Sequence, residues 1–174
     1  MPDAPHWSHD VLRAIKAREI STVCTVPDGG LTRLLDMIEA DRKIRLVTLT
    51  TEEEGIGIAT GCWLGGQRAM IAMQSSGVGN CINALGLPLA YRAPCLMLVT
   101  MRGIWGEFNP WQVPMGQAAR PTMEAMGVRC FLVDNPKEIG ETFEAAADLA
   151  FNSRTSAAVL ISQRVIGAKG FGQQ

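Results

Sequence analysis

The sequence predicts an α/β fold: a three-layer domain with a mostly parallel six-stranded sheet and helices on both faces. Three observations lead there. Short extended runs alternate regularly with segments of helical spacing. Glycine and proline clusters such as Pro27-Asp28-Gly29-Gly30 and Gly65-Gly66 fall at the junctions. The 174 residues are 47% hydrophobic, enough for one full core, and no internal repeat or linker divides them.

The elements follow in order. Residues 9–18 carry Val11, Leu12 and Ile15 at helical spacing, with Ser8 as a candidate N-cap. Residues 20–26 form a short, β-branched, apolar strand, closed by the Pro27–Gly30 turn. A helix over 31–40 places Leu31, Leu34, Leu35 and Ile38 on one face, and 44–49 is the second strand. Thr51-Glu52-Glu53-Glu54 has capping-box form, so a helix runs from there to Leu64 and ends at Gly65-Gly66. Residues 68–74 form a strand, 77–87 a helix, and 95–100 a strand. A long loop over 101–116 precedes a helix at 117–126 and a strand at 129–133. A helix over 136–152 starts on a proline, and 157–162 is the last strand. Residues 165–174 read as a small, polar, flexible tail.

Composition narrows the function classes. The net charge is −1 and there is no long basic run, so the footprint of a nucleic-acid binder is missing. No apolar run is long enough to span a bilayer, and the first ten residues lack a signal-peptide core. Cys24, Cys62, Cys81, Cys95 and Cys130 are odd in number and contain no CxxC pair. They read as reduced core thiols of a cytoplasmic protein, not as zinc ligands. His6 and His9 are the only histidines, and they read as polar residues of the first helical turn. Trp105 and Trp111 fall in the long loop, which suggests a covered surface.

In a parallel α/β sheet, ligands bind beyond the carboxyl ends of the strands. The loops there carry the unusual chemistry. Glu52, Glu53 and Glu54 stand together at the head of an apolar, small-residue helix, as solvated caps or as a buried functional acid. Gly55, Gly57 and Gly61 loosely match a dinucleotide fingerprint, but the adjoining carboxylates would repel a pyrophosphate. These glycines therefore read as close-packing positions. Gln74-Ser75-Ser76-Gly77-Val78-Gly79-Asn80 links a strand to a helix. It is either an anion-holding loop or an ordinary turn capped by Ser76. The 101–116 loop is long, apolar and holds two tryptophans, as a lid or subunit interface does.

Taken in order, Val26-Pro27-Asp28, Glu52 nine residues before Gly61, the 74–80 segment, Arg102-Gly103 and Gln112-Val113-Pro114-Met115-Gly116 form one pattern. It resembles the pyrimidine-binding (PYR) domain of thiamine-diphosphate decarboxylases. Within that family it is most similar to the sulfopyruvate decarboxylase alpha subunits, with phosphonopyruvate decarboxylases nearby. The resemblance runs from about Val11 to Ser162 and makes the chain a single PYR domain over 1–174.

The resemblance implies a catalytic role for Glu52, which would contact N1′ of the cofactor's aminopyrimidine and share its proton. Glu53 and Glu54 then become first-turn acids that suit the helix dipole. Pro27, Gln74, Ser75 and Ser76 are implied on the cofactor side, and Asp28, Ser76, Asn80, Arg102 and Gln112 on the substrate side. Arg102, Arg92 or Arg120 would answer an anionic substrate tail. The family binds diphosphate and Mg2+ through a Gly-Asp-Gly motif, and no Gly-Asp pair occurs here. The resemblance thus implies a separate beta-type (PP-domain) chain that anchors both, with self-association in the assembled complex. Phosphonopyruvate decarboxylases carry a histidine near the place of Gln112, and Asp28 is offset by one from the acid of pyruvate decarboxylases. The implied activity is decarboxylation of a 2-oxoacid such as sulfopyruvate or phosphonopyruvate. An acetolactate-synthase-like carboligase half and a non-catalytic partner-binding domain remain alternatives at this point.

Overall fold

Six strands carry the architecture of the computed structural model, which describes residues 6–168. They are β1 (Ile20–Thr25), β2 (Arg45–Thr48), β3 (Arg68–Gln74), β4 (Cys95–Thr100), β5 (Arg129–Val133) and β6 (Ser156–Ile161). They form one sheet in the order β2-β1-β3-β4-β6-β5, and every pairing is parallel. Successive side chains on a strand point to opposite faces. In β3, Met70 and Ala72 join one apolar cluster while Ala69, Ile71 and Met73 join the other. A strand buried on both sides must be apolar at nearly every position, hence the continuous runs in β3, β4 and β6.

One cluster lies under α1 (Trp7–Ala17), α2 (Thr32–Glu39) and α7 (Ile139–Ser153). The other lies under α3 (Glu52–Leu64), α4 (Ser75–Cys81) and α6 (Gln112–Ala125), with α5 (Gly86–Tyr91) beside α3. A short α8 (Gln163–Ile166) follows β6. No helix among the described residues is long and apolar enough to cross a membrane.

Several local expectations are corrected. His6, not Ser8, caps α1: its ring accepts from the Ser8 N–H, and Ser8 is buried. Thr51 occupies the N-cap of α3, but its side chain makes no cap bond. Instead Glu54 reaches back to the N–H and hydroxyl of Thr50, at 3.0 and 2.6 Å. These bonds hold the Glu54 carboxyl below its ordinary range. The expected helix over 77–87 is two short helices, α4 and α5, and α4 begins at Ser75 directly after β3. The long loop ends at Trp111, because α6 starts five residues earlier than expected, with Pro114 within its first turn. Proline lacks a backbone N–H, but first-turn N–H groups have no intrahelical partner anyway. A 3-10 turn (Pro136–Glu138) precedes α7. Of the 165–174 tail, Val165 and Ile166 belong to α8 and pack against the core, while 169–174 lie outside the described residues.

The glycines of α3 separate. A Cβ at Gly55 would meet Leu49 at 3.0 Å and Ile71 at 3.2 Å, so this glycine brings the helix close onto the sheet. Gly57 and Gly61 have nothing within 4 Å of that position, so close packing within this chain explains Gly55 alone.

Candidate active site

The buried face of α3 is written by Glu52, Gly55, Ile56, Ala59 and Thr60. That is the i, i+3, i+4, i+7, i+8 stripe, and Glu52 is its first member. Glu53 and Glu54 fall off the stripe and are exposed. The apolar helix therefore buries one carboxylate of three, and Glu52 is 7% exposed. Its Oε2 accepts a hydrogen bond of 2.8 Å from Asn80 Nδ2, across from α4. A Cβ at Gly77 would overlap the Glu52 carboxyl group, so the glycine makes room for it. The same acid and burial push the neighbouring Cys81 thiol up to about 12, burial first, which keeps it protonated and unreactive.

A second polar group sits where β1, β3 and β4 end. Asp28 Oδ1 accepts from Gln74 Nε2 at 2.7 Å, and its Oδ2 accepts from Thr100 Oγ1 at 2.8 Å and Gly30 N at 3.1 Å. Ser76 Oγ donates to Gln74 Oε1 at 2.8 Å. The chain Ser76–Gln74–Asp28–Thr100 is thus continuous, and Thr100 is a member the sequence reading did not include. Pro27 and Asp28 line a shallow cavity of about 330 Å³ above α2.

The third group is built on Arg102, which is paired within the chain. Its Nε and Nη2 make a two-pronged pair with Glu107 at 2.7 and 2.6 Å, and the two side chains are 9% and 3% exposed. The guanidinium holds the Glu107 carboxyl at about 2. The Arg102 N–H donates to Ser75 Oγ at 3.0 Å, and Ser75 is fully buried. Both side chains thus have partners within the chain. Arg120 pairs with Glu124 on its own helix at 2.8 Å. Arg92 ends α5 ahead of β4, at the amino ends of the strands and away from the site.

Helix α4 joins these groups, because Ser75, Ser76, Gly77 and Asn80 belong to it. The 74–80 segment is therefore the end of β3 and the helix that follows it, lying between the groups, and Ser76 bonds Gln74 instead of capping the helix. Between α4 and the start of α6 lies an apolar groove of about 830 Å³, reached by Ser76, Asn80, Trp111 and Met115. Trp111 is 83% exposed at its rim. Gln112 opens α6, and its buried Oε1 has no hydrogen-bond partner among the described residues. Glu107 and Gln163 were missed by sequence reasoning. Glu107 is the lone acid of the long loop and Gln163 comes two residues after β6.

Residues 6–111 match the family described as thiamine pyrophosphate enzyme, N-terminal TPP binding domain. The chain belongs to this family. It is 35% identical over 155 residues to a protein named sulfopyruvate decarboxylase subunit alpha from Methanococcus maripaludis, covering 88% of this chain and 93% of that one. It is 37% identical over 99 residues to a phosphonopyruvate decarboxylase of Streptomyces hygroscopicus, covering 56% of this chain and 25% of that one. The fold matches a chain of 2-oxoglutarate:ferredoxin oxidoreductase from Magnetococcus marinus, solved with 2-oxoglutarate, coenzyme A and succinyl-CoA bound. The TM-score is 0.76 at 15% identity, over 93% of this chain and 29% of that one, a likeness of fold alone.

The family description names thiamine pyrophosphate, a group whose aminopyrimidine can be compared with the surroundings of Glu52. The residues fit the aminopyrimidine: a buried carboxylate, oriented by Asn80 and seated in the room that Gly77 leaves for it. A carboxylate so placed can accept a hydrogen bond from a protonated ring nitrogen.

Proposed function

We propose that this chain is the PYR-domain (alpha) subunit of a thiamine-diphosphate-dependent 2-oxoacid decarboxylase. Its substrate is a short 2-oxoacid with an anionic substituent at C3, sulfopyruvate first and phosphonopyruvate second. The supporting observation is Glu52, the one buried acid at the head of α3, in a chain of this family. Similarity over 93% of a relative named as an alpha subunit supports a two-chain enzyme. The partner we propose carries the Gly-Asp-Gly motif and holds the diphosphate and Mg2+.

The cofactor, when bound, supplies the electron sink into which carbon dioxide can be lost. The chain's own residues orient and hold protons. Glu52 keeps a proton at the pyrimidine ring nitrogen, and Asn80 fixes the carboxylate's rotamer. Gln74 ties the cofactor side to Asp28, so the end of β1 and the start of α4 form one rigid wall. Gln112 and Asn80 face the substrate side.

The experiment is reconstitution of the chain with a Gly-Asp-Gly partner, thiamine diphosphate and Mg2+, with release of CO2 and aldehyde measured from sulfopyruvate and phosphonopyruvate. The wild-type complex is expected to turn over, and Glu52→Gln to lose on the order of 100-fold or more in kcat. A Glu52→Gln complex as fast as wild type would overturn the role given to Glu52. Product with a new carbon–carbon bond in place of free aldehyde would make the enzyme a carboligase.

A further inference from the structure

The 101–111 segment hangs on one carboxylate. Glu107 accepts from Arg102 Nε and Nη2, from the N–H of Gly103 at 3.2 Å and of Asn109 at 3.0 Å, and from Gln163 Nε2 at 2.9 Å. Gln163 is fully buried, and its Oε1 accepts from the N–H groups of Ile104 and Trp105, each at 3.2 Å. Two loops that leave neighbouring strands, β4 and β6, are thereby tied together. On its other side the tied segment is wedged into the first turn of α6. A Cβ at Gly103 would overlap the Gln112 carbonyl, and a Cβ at Gly116 would overlap the Arg102 carbonyl. Arg102-Gly103 thus cannot shift without moving the turn that begins at Gln112.

We propose that Glu107 and Gln163 are positioning residues that set the placement of Gln112. A buried ion pair adds little net stability over an apolar pair of the same volume, because desolvation offsets the attraction. What this one does supply is direction: a carboxylate with five donors admits one arrangement of the loop. The beneficiary is the first residue of α6, whose amide oxygen is buried without a hydrogen-bond partner among the described residues. The inference deepens the reading above and rests on its placing Gln112 on the substrate side.

Kinetics of the reconstituted complex test it with Gln112→Ala, Glu107→Gln and Gln163→Met, the last serving if Glu107→Gln folds poorly. Each single change should raise KM for sulfopyruvate about tenfold with kcat held within about twofold. In the Gln112→Ala background either latch change should add less than about twofold, because coupled residues are not additive. Independent, multiplicative losses would overturn the latch, as would a silent Gln112→Ala, which would also remove Gln112 from the substrate side. A readout on the full chain without cofactor separates this from the functional reading. Trp105 and Trp111 are the exposed tryptophans, at 42% and 83%. Acrylamide quenching of tryptophan emission should rise in both latch variants, and quenching unchanged from wild type would overturn the proposal even if no substrate is turned over.

Discussion

The Glu52 carboxyl group occupies the space in which a Cβ of Gly77 would stand. Helix α4 can approach α3 so closely only because position 77 has no side chain. The approach also brings Asn80, one turn on, to 2.8 Å from the acid.

Gly77→Ala should therefore act as a site variant while leaving position 52 unchanged. The added methyl displaces the carboxylate, and a shift of about 1 Å in a catalytic group costs on the order of 100-fold in rate. Overpacking at this buried contact should also cost about 1–3 kcal/mol. Titration with thiamine diphosphate and chemical denaturation of the same preparation measure the two effects. Wild-type cofactor affinity and rate in Gly77→Ala would show that Glu52 need not lie where it does.

Glu107→Gln leaves the Arg102 charge buried without its partner, which costs about 3–5 kcal/mol. The wild-type carboxyl titrates at about 2 against 4.5 when unperturbed. A depressed folded value means the unfolded chain binds more protons, so this stabilisation is full above about pH 4.5 and is lost as pH falls toward 2. Urea denaturation across that window should show a steep acid loss in wild type and a shallower one in Glu107→Gln.

Gly116→Ala tests the wedge between the 101–111 segment and α6. The methyl would meet the Arg102 backbone carbonyl, which cannot rotate away as a side chain can. We expect a loss of at least about 2 kcal/mol, read from the denaturation midpoint. The exposed, equally helical Gly57→Ala should be neutral or mildly stabilising, since alanine is the better helix former by about 1 kcal/mol.

Thr100→Val removes one of three donors to Asp28 at nearly constant volume. The net loss of one hydrogen bond is about 1 kcal/mol. If Asp28 contacts substrate, KM should rise several-fold while cofactor affinity stays as in wild type. Equal changes in both would place Asp28 on the cofactor side.

Sequence periodicity located all six strands to within two residues, because a doubly buried strand must be apolar along its length and its limits are marked by turn residues. Periodicity left Glu52, Glu53 and Glu54 undivided, and only the family resemblance pointed to Glu52. In the folded helix the stripe that puts Ile56, Ala59 and Thr60 inward puts Glu52 inward and leaves its neighbours in water. Helix boundaries near the site were less legible. Ser75-Ser76-Gly77 reads as a turn by propensity yet begins α4, because Gly77 is placed there by contact with Glu52, 25 positions away in sequence.

What the sequence determined by itself is the α/β order and the layer structure, since each follows from local spacing, with the acid at the head of α3 marked by the family resemblance. The pairing of charges was decided only by the tertiary structure. Arg102 looked like a free cation on the strand-end rim, and folding gave it Glu107, five residues on, while Gln163 from beyond β6 donates to that same carboxylate. Which donor meets which carboxylate depends on strand order. In this sheet β6 lies beside β4, although β5 intervenes in the chain.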